Sequence, residues 1–124
     1  LADLMLTKLQ IIELNEKDIR DIVALLIDHK LVDEEKNDSI NVKHIAKLCS
    51  NDWGLEKTVR ITLERVVEWI NTSAIPENHR KDILKKVERI KSVLDAEPKS
   101  ARWKMRSLIG EKARWYEIPE DPIR

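Results

Sequence analysis

DWGLEKTVRITLERVVEWI, residues 52–70, carries a sustained helical period of apolar residues. Leu55, Val59, Leu63, Val66, Val67 and Ile70 recur every three or four residues. That spacing gathers apolar side chains on one side of an α-helix for about four turns. Asp52 stands just before the run, where a carboxylate accepts hydrogen bonds from the free N–H groups of a first turn. Thr58 and Thr62 lower helix propensity slightly, and the stripe outweighs them. Upstream, Asn51-Asp52 breaks off a shorter helix that Asn41 can cap, with Val42, Ile45, Ala46, Leu48 and Cys49 on its inner face.

The same period extends outward in both directions. Apolar residues at positions 1, 4, 5, 6, 9 and 12 predict a first helix over 2–13. Asn15 reads as the cap of a second, with Glu16 and Asp18 in the first turn, where the helix dipole favours negative charge. Ile19, Ile22, Val23, Leu25, Leu26 and Ile27 then make a wide apolar face, central to a core, ending near His29. VDEEKNDSI at 32–40 is acidic and reads as a solvated loop. After the linker NTSAIPEN at 71–78, Pro76 takes the first position of a fifth helix carrying Ile83, Leu84, Val87, Ile90 and Leu94. Pro98 begins a sixth, to about 109, with Trp103, Leu108 and Ile109 facing inward and Gly110 as its stop. KARWYEIPEDPIR, 112–124, has two prolines and no period, and is expected to lie extended, pinned by Trp115 and Tyr116. With no strand pattern and no internal repeat, the expectation is an all-α fold. It comprises about six helices in a compact, antiparallel, bundle-like array with an extended C-terminal tail, one helical domain over 1–124. In the absence of phenylalanine, the four tryptophans are expected to fill most of the large core volume.

Composition narrows the function. Twenty-three basic and 23 acidic side chains cancel, which excludes a uniformly charged coat for nucleic acid. The charge is nevertheless polarised: residues 1–79 hold 10 basic and 15 acidic side chains, residues 80–124 hold 13 and 8. No apolar run reaches the roughly 20 residues that span a bilayer, and no signal peptide opens the chain, so no membrane partner is expected and the cytoplasm is the expected compartment. Cys49 is the single cysteine, and His29, His44 and His79 are widely spaced, so no metal ligand set is expected. Glycine occurs only at 54 and 110, which excludes a glycine-rich phosphate loop. The chain opens on Leu1 inside an amphipathic pattern, and reads as a C-terminal fragment of a longer protein. Exposed Leu1, Leu4 or Leu6 would mark a severed interface or a homodimer formed through the first helix.

Three constellations could carry chemistry. Lys8 lies within an otherwise apolar helix, and Asp18 and Asp21, three apart, share a face of the next. Lys8 either extends its ammonium past the core boundary or pairs with one of these carboxylates, bracing two helices. The second constellation is residues 99–114. Lys99, Arg102, Lys104, Arg106, Lys112 and Arg114 stand against Glu111 alone, interleaved with Trp103 and followed by Trp115 and Tyr116. Cations beside flat aromatics suit RNA or single-stranded DNA, with Lys99, Arg102, Lys104, Arg106 and Arg114 as the contacts. The alternative is that both tryptophans anchor the core beneath a solvated basic face. The third is a helix-turn-helix arrangement of the third and fourth helices, which would offer a major groove Lys57 and Arg60 beside Glu56, Glu64 and Glu68, a poor recognition face.

Leu6-Thr7-Lys8-Leu9 followed by Lys17-Asp18-Ile19-Arg20-Asp21-Ile22 resembles the back half of the AbiEii-type nucleotidyltransferases. These are minimal enzymes related to DNA polymerase β, many of them toxins of toxin–antitoxin pairs. Ala2-Asp3-Leu4, Asp52-Trp53-Gly54 and RWYEIPE at 114–120 are also similar to members of this group, close over about the first 25 residues and loose beyond. The resemblance implies that Lys8 neutralises the phosphates of an NTP and that Asp18 and Asp21 support the pocket or the lysine. It also implies a missing N-terminal nucleotidyltransferase domain as partner, Mg²⁺ in the full-length enzyme, and an RNA or protein acceptor. The chain departs from the family in having neither a Gly-Ser turn nor an Asp-x-Asp pair, so it holds no catalytic residue and no cofactor of its own. Beside this stands a helical protein-interaction or RNA-binding module that is not an enzyme.

Overall fold

The computed structural model describes residues 1–115. Among them are six α-helices: α1 (Ala2–Leu9), α2 (Glu16–Asp28), α3 (Val42–Ser50), α4 (Trp53–Thr72), α5 (Glu77–Ala96) and α6 (Ala101–Ile109). Two three-residue strands, β1 (Lys30–Val32) and β2 (Ser39–Asn41), lie between α2 and α3, and a 3₁₀ turn at Gly110–Lys112 follows α6. The fold is helical, with α4 and α5 its longest elements at 20 residues each.

Periodicity places the core where the sequence indicates. Val59, Leu63, Val66 and Ile70 of α4 meet Ile83, Val87, Ile90 and Leu94 of α5, and all eight are at most 1% exposed. Met5 and Leu9 of α1, Ile22 and Leu26 of α2, and Ile45 and Cys49 of α3 complete one aliphatic cluster. No tryptophan is fully buried; Trp53, Trp69, Trp103 and Trp115 sit at half-buried positions. Branched aliphatics interdigitate at close helix contacts, whereas an indole needs room and a partner for its N–H, so these rings cover the rim.

Local polar groups set the ends of the helices. Asn15 Oδ1 accepts from Asp18 N at 2.9 Å while Asp18 Oδ2 accepts from Asn15 N at 3.2 Å, a reciprocal cap. That cap requires extended backbone at Asn15, so the chain must leave the helix earlier, and α1 stops at Leu9 rather than at residue 13. Pro76 is the residue preceding α5, not its first member. Ser100 Oγ accepts from Trp103 N at 3.1 Å, so α6 starts at Ala101 and not at Pro98.

The acidic loop departs from expectation. Its ends pair as parallel strands, Lys30 with Ser39, Leu31 with Ile40 and Val32 with Asn41. Parallel neighbours normally need a long crossover, but strands this short are only about 7 Å long, and six connecting residues reach back over that distance. Ile40 is fully buried and Leu31 nearly so. Two apolar residues nine apart in a polar sequence leave no periodic signal.

The sixth helix departs furthest. No residue of α6 is buried, and Leu108 and Ile109, expected inward, are 85% and 49% exposed. Tyr116 and the tail from 116 to 124 lie outside the described residues.

Candidate functional site

Among the described residues, the start of α4 and α6 bring together the largest group of polar and aromatic contacts. Asp52 Oδ1 accepts from Leu55 N at 3.0 Å and sets the first turn of α4, which carries Trp53, Gly54 and Glu56. Glu56 is in phase with Val59, Leu63, Val66 and Ile70, and its side chain is only 7% exposed. Lys99, at 15%, comes from the α5–α6 connection to meet it, Nζ to Oε1 at 2.6 Å. The same ammonium donates to Leu94 O at 2.5 Å and lies 5.3 Å from the centre of the Trp103 ring. On the other side of Glu56, Arg60 Nε approaches Oε2 at 3.3 Å and Arg60 Nη2 approaches Asp95 Oδ1 at 2.5 Å. Burial acts to lower the Arg60 pKa, but Asp95 and Glu56 outweigh it and hold the guanidinium more firmly charged. Burial, with Glu56 nearby, pushes the Cys49 thiol up to about 12, so it stays protonated and inert at neutral pH.

Further along, Arg106 lies 4.8 Å over the Trp53 ring and spends its donors on the backbone, with Nη1 to Gly110 O at 2.8 Å and Nη2 to Ala113 O at 2.9 Å. The turn it closes contains Gly110, whose φ of 58° suits glycine. The chain then returns to α4. Trp115 Nε1 donates to Thr58 Oγ1 at 3.1 Å, and its ring meets Trp53 edge-on at 5.9 Å. Gly54 makes room for this return, since a Cβ there would stand 2.9 Å from Trp115 O. Between α6 and the start of α4 an open groove of about 640 Å³ remains, lined by Trp53, Arg102, Met105, Ile109, Arg114 and Trp115 among others.

The basic residues of 99–114 therefore serve different ends. Lys99 and Arg106 turn inward, one to Glu56 and the other to Trp53 and two carbonyls. Arg114 lines the groove. Arg102 and Lys104 are exposed and make no ion pair among the described residues. Trp103 is half-buried, with its Nε1 unpartnered among the described residues.

At the other end of the molecule, Lys8 Nζ donates to Asp21 Oδ2 at 3.1 Å, and Lys17 approaches the same oxygen at 3.5 Å. The hydrogen bond from Lys8 holds the Asp21 carboxyl below its ordinary 3.8; burial opposes this, and the charges of Lys17 and Lys8 add to the lowering. Asp18 is engaged in the α2 cap, so the two aspartates do not converge on Lys8. The pair proposed for helix-turn-helix contact is also engaged, Arg60 as above and Lys57 with Glu111 at 3.2 Å. Among the described residues no three His, Cys, Asp or Glu side chains gather as a metal site requires. His44 Nε2 instead meets Asp3 Oδ1 at 2.8 Å, and His29 Nδ1 meets Asp38 O at 2.8 Å.

No family model matches the chain, and no curated protein or solved structure is significantly similar to it. No described helix is long and apolar enough to cross a membrane. At the start of the chain, Leu1 and Leu4 are 39% and 48% exposed, while Leu6 is buried.

Glu56, read from the sequence only as an acidic neighbour on a poor recognition face, is instead buried. Its signal was its phase, because position 56 continues the 59, 63, 66, 70 series toward the N-terminus, and a carboxylate at a core position implies a buried cation. Replacing Glu56 by Gln leaves Lys99 and Arg60 without their shared anion. Urea unfolding should show a loss of about 3 kcal/mol, typical of breaking a buried pair from one side. A loss below about 0.5 kcal/mol, the level of an ordinary surface change, would contradict this role.

Proposed function

We propose that this helical domain is a protein-interaction module whose docking surface is the outer face of α6. The observation that carries the reading is the orientation of that helix. Met105, Leu108 and Ile109 are 71%, 85% and 49% exposed, while the polar Arg106 and Lys99 hold the inner side. Large apolar side chains gathered on one exposed face mark an interaction surface, and methionine, tryptophan and arginine are enriched in such surfaces. Nucleic-acid binding has less support. Lys99 and Arg106 are spent internally, and the Trp53 ring already has Arg106 over it at 4.8 Å and a T-shaped contact with Trp115. Stacking platforms for bases would have to be uncovered first.

A test separates an interface from a core. In the double variant Met105→Asp, Leu108→Asp, unfolding free energy should fall by no more than about 1.5 kcal/mol, from two surface changes and the lower helix propensity of Asp, and binding of an apolar dye should fall. A loss of several kcal/mol would show that these side chains are structural.

A second reading is supported by one placement, that of Lys8 beside Asp21 on α1 and α2. In it, as the nucleotidyltransferase resemblance implies, Lys8 contacts NTP phosphates, with Mg²⁺ and the catalytic residues supplied from outside this chain. The ammonium must then leave Asp21. Titration with ATP and Mg²⁺, followed by NMR, should shift the Lys8 side-chain resonance and raise the Asp21 pKa toward 3.8. No change at Lys8 would remove this reading. In the absence of nucleotide, the Lys8–Asp21 contribution is present above 3.8 and lost as pH falls through the lowered pKa, so the Lys8→Met and wild-type stabilities should differ near neutrality and converge in acid.

A further inference from the structure

The geometry points to an acidic amphipathic helix of a partner protein as the ligand of α6, an inference that rests on the interaction-module reading above. At about 100° per residue, Leu108, Ala101, Met105 and Ile109 fall within one arc of about 100°, the width of a helix-packing stripe. Trp103 and Ser107 lie on the opposite side, and Arg106 lies beyond Arg102 where α6 meets Trp53. The stripe runs for about 12 Å, two turns, which suits the side-chain ridges of another helix crossing it.

Charge selects among occupants. Arg102 flanks the stripe on one side and Lys104 on the other, and neither makes an ion pair among the described residues. A second copy of the chain packed stripe to stripe would bring these cations against their own equivalents, which opposes a symmetric dimer. A helix with apolar residues at i, i+3, i+4 and i+7 and carboxylates beside them satisfies both the stripe and its flanks. Met, Leu and Ile side chains offer a phosphate backbone no donor, so a nucleic acid would leave the stripe uncovered. The adjoining groove, with Met105 and Ile109 on its wall, gives a partner side chain a place to insert.

The experiment uses the full 124-residue chain and three fluorescent probes: a Leu-striped helical peptide flanked by Glu, its twin flanked by Lys, and a single-stranded oligouridine. The Glu-flanked peptide should bind saturably and about tenfold more tightly than its twin, the scale of turning two rim attractions into repulsions. Arg102→Glu with Lys104→Glu should reverse that preference, and Leu108→Asp should abolish binding of both peptides. Equal affinity for the two peptides would overturn the acidic partner while leaving the interaction module standing. Binding of neither peptide would overturn both. Saturable binding of the oligouridine alone would also overturn both, in favour of nucleic acid.

Discussion

The arrangement of α6 depends on a buried carboxylate. Glu56 occupies a position of α4 that periodicity assigns to the core, and a charge there is tolerated only with a partner. Lys99 is that partner, and its position after α5 fixes where α6 begins. The two long helices bury their stripes whether or not this pair exists. The pair decides which way the next element is laid against them. Ser100 reinforces the choice, donating its N–H to Ser50 O at 3.0 Å and capping α6 with its side chain. With the start fixed, Arg106 follows one and a half turns later onto Trp53. That leaves Leu108 on the solvent side and Met105 and Ile109 at the wall of the groove.

This explains which parts of the fold the sequence made legible. Elements with a continuous stripe, α2 through α5, were readable because hydrophobic burial is periodic and local. The caps at Asn15, Asn41 and Asp52 were readable because a short polar side chain before a stripe has one local use. For α6 the expected inward set was Trp103, Leu108 and Ile109; Trp103 is half-buried and the other two are exposed, because spacing alone does not say which face meets the core. Leu108 and Ile109 were assigned inward by default. Their orientation is set by Lys99, Ser100 and Arg106, whose partners lie 43 residues away at Glu56, 50 away at Ser50 and 53 away at Trp53. The paired strands were missed for a similar reason, since Leu31 and Ile40 are single burials in polar surroundings.

The basic segment shows how one composition serves two purposes. Residues 99–114 account for the positive excess of the second half of the chain. Part of that charge is structural: Lys99 neutralises Glu56, and Arg106 closes the turn after α6 over a tryptophan face. Of the rest, Arg102 and Lys104 border exposed apolar surface and Arg114 lines the groove. Lys8 and Asp21 are likewise paired with each other, so a role toward phosphates requires exchanging one charge partner for another. The α6 face requires no such exchange, which is why the docking reading takes precedence.

Polar contacts on the inner side hold α6 with its apolar stripe outward. Thiol labelling of a Leu108→Cys variant tests it most directly, with buried Cys49 as the internal reference. The account predicts that one thiol equivalent reacts with an aromatic disulfide reagent under native conditions at close to the rate of a free cysteine, and that the second reacts only after denaturation. Two equivalents that both wait for denaturant would place position 108 in the core and contradict it.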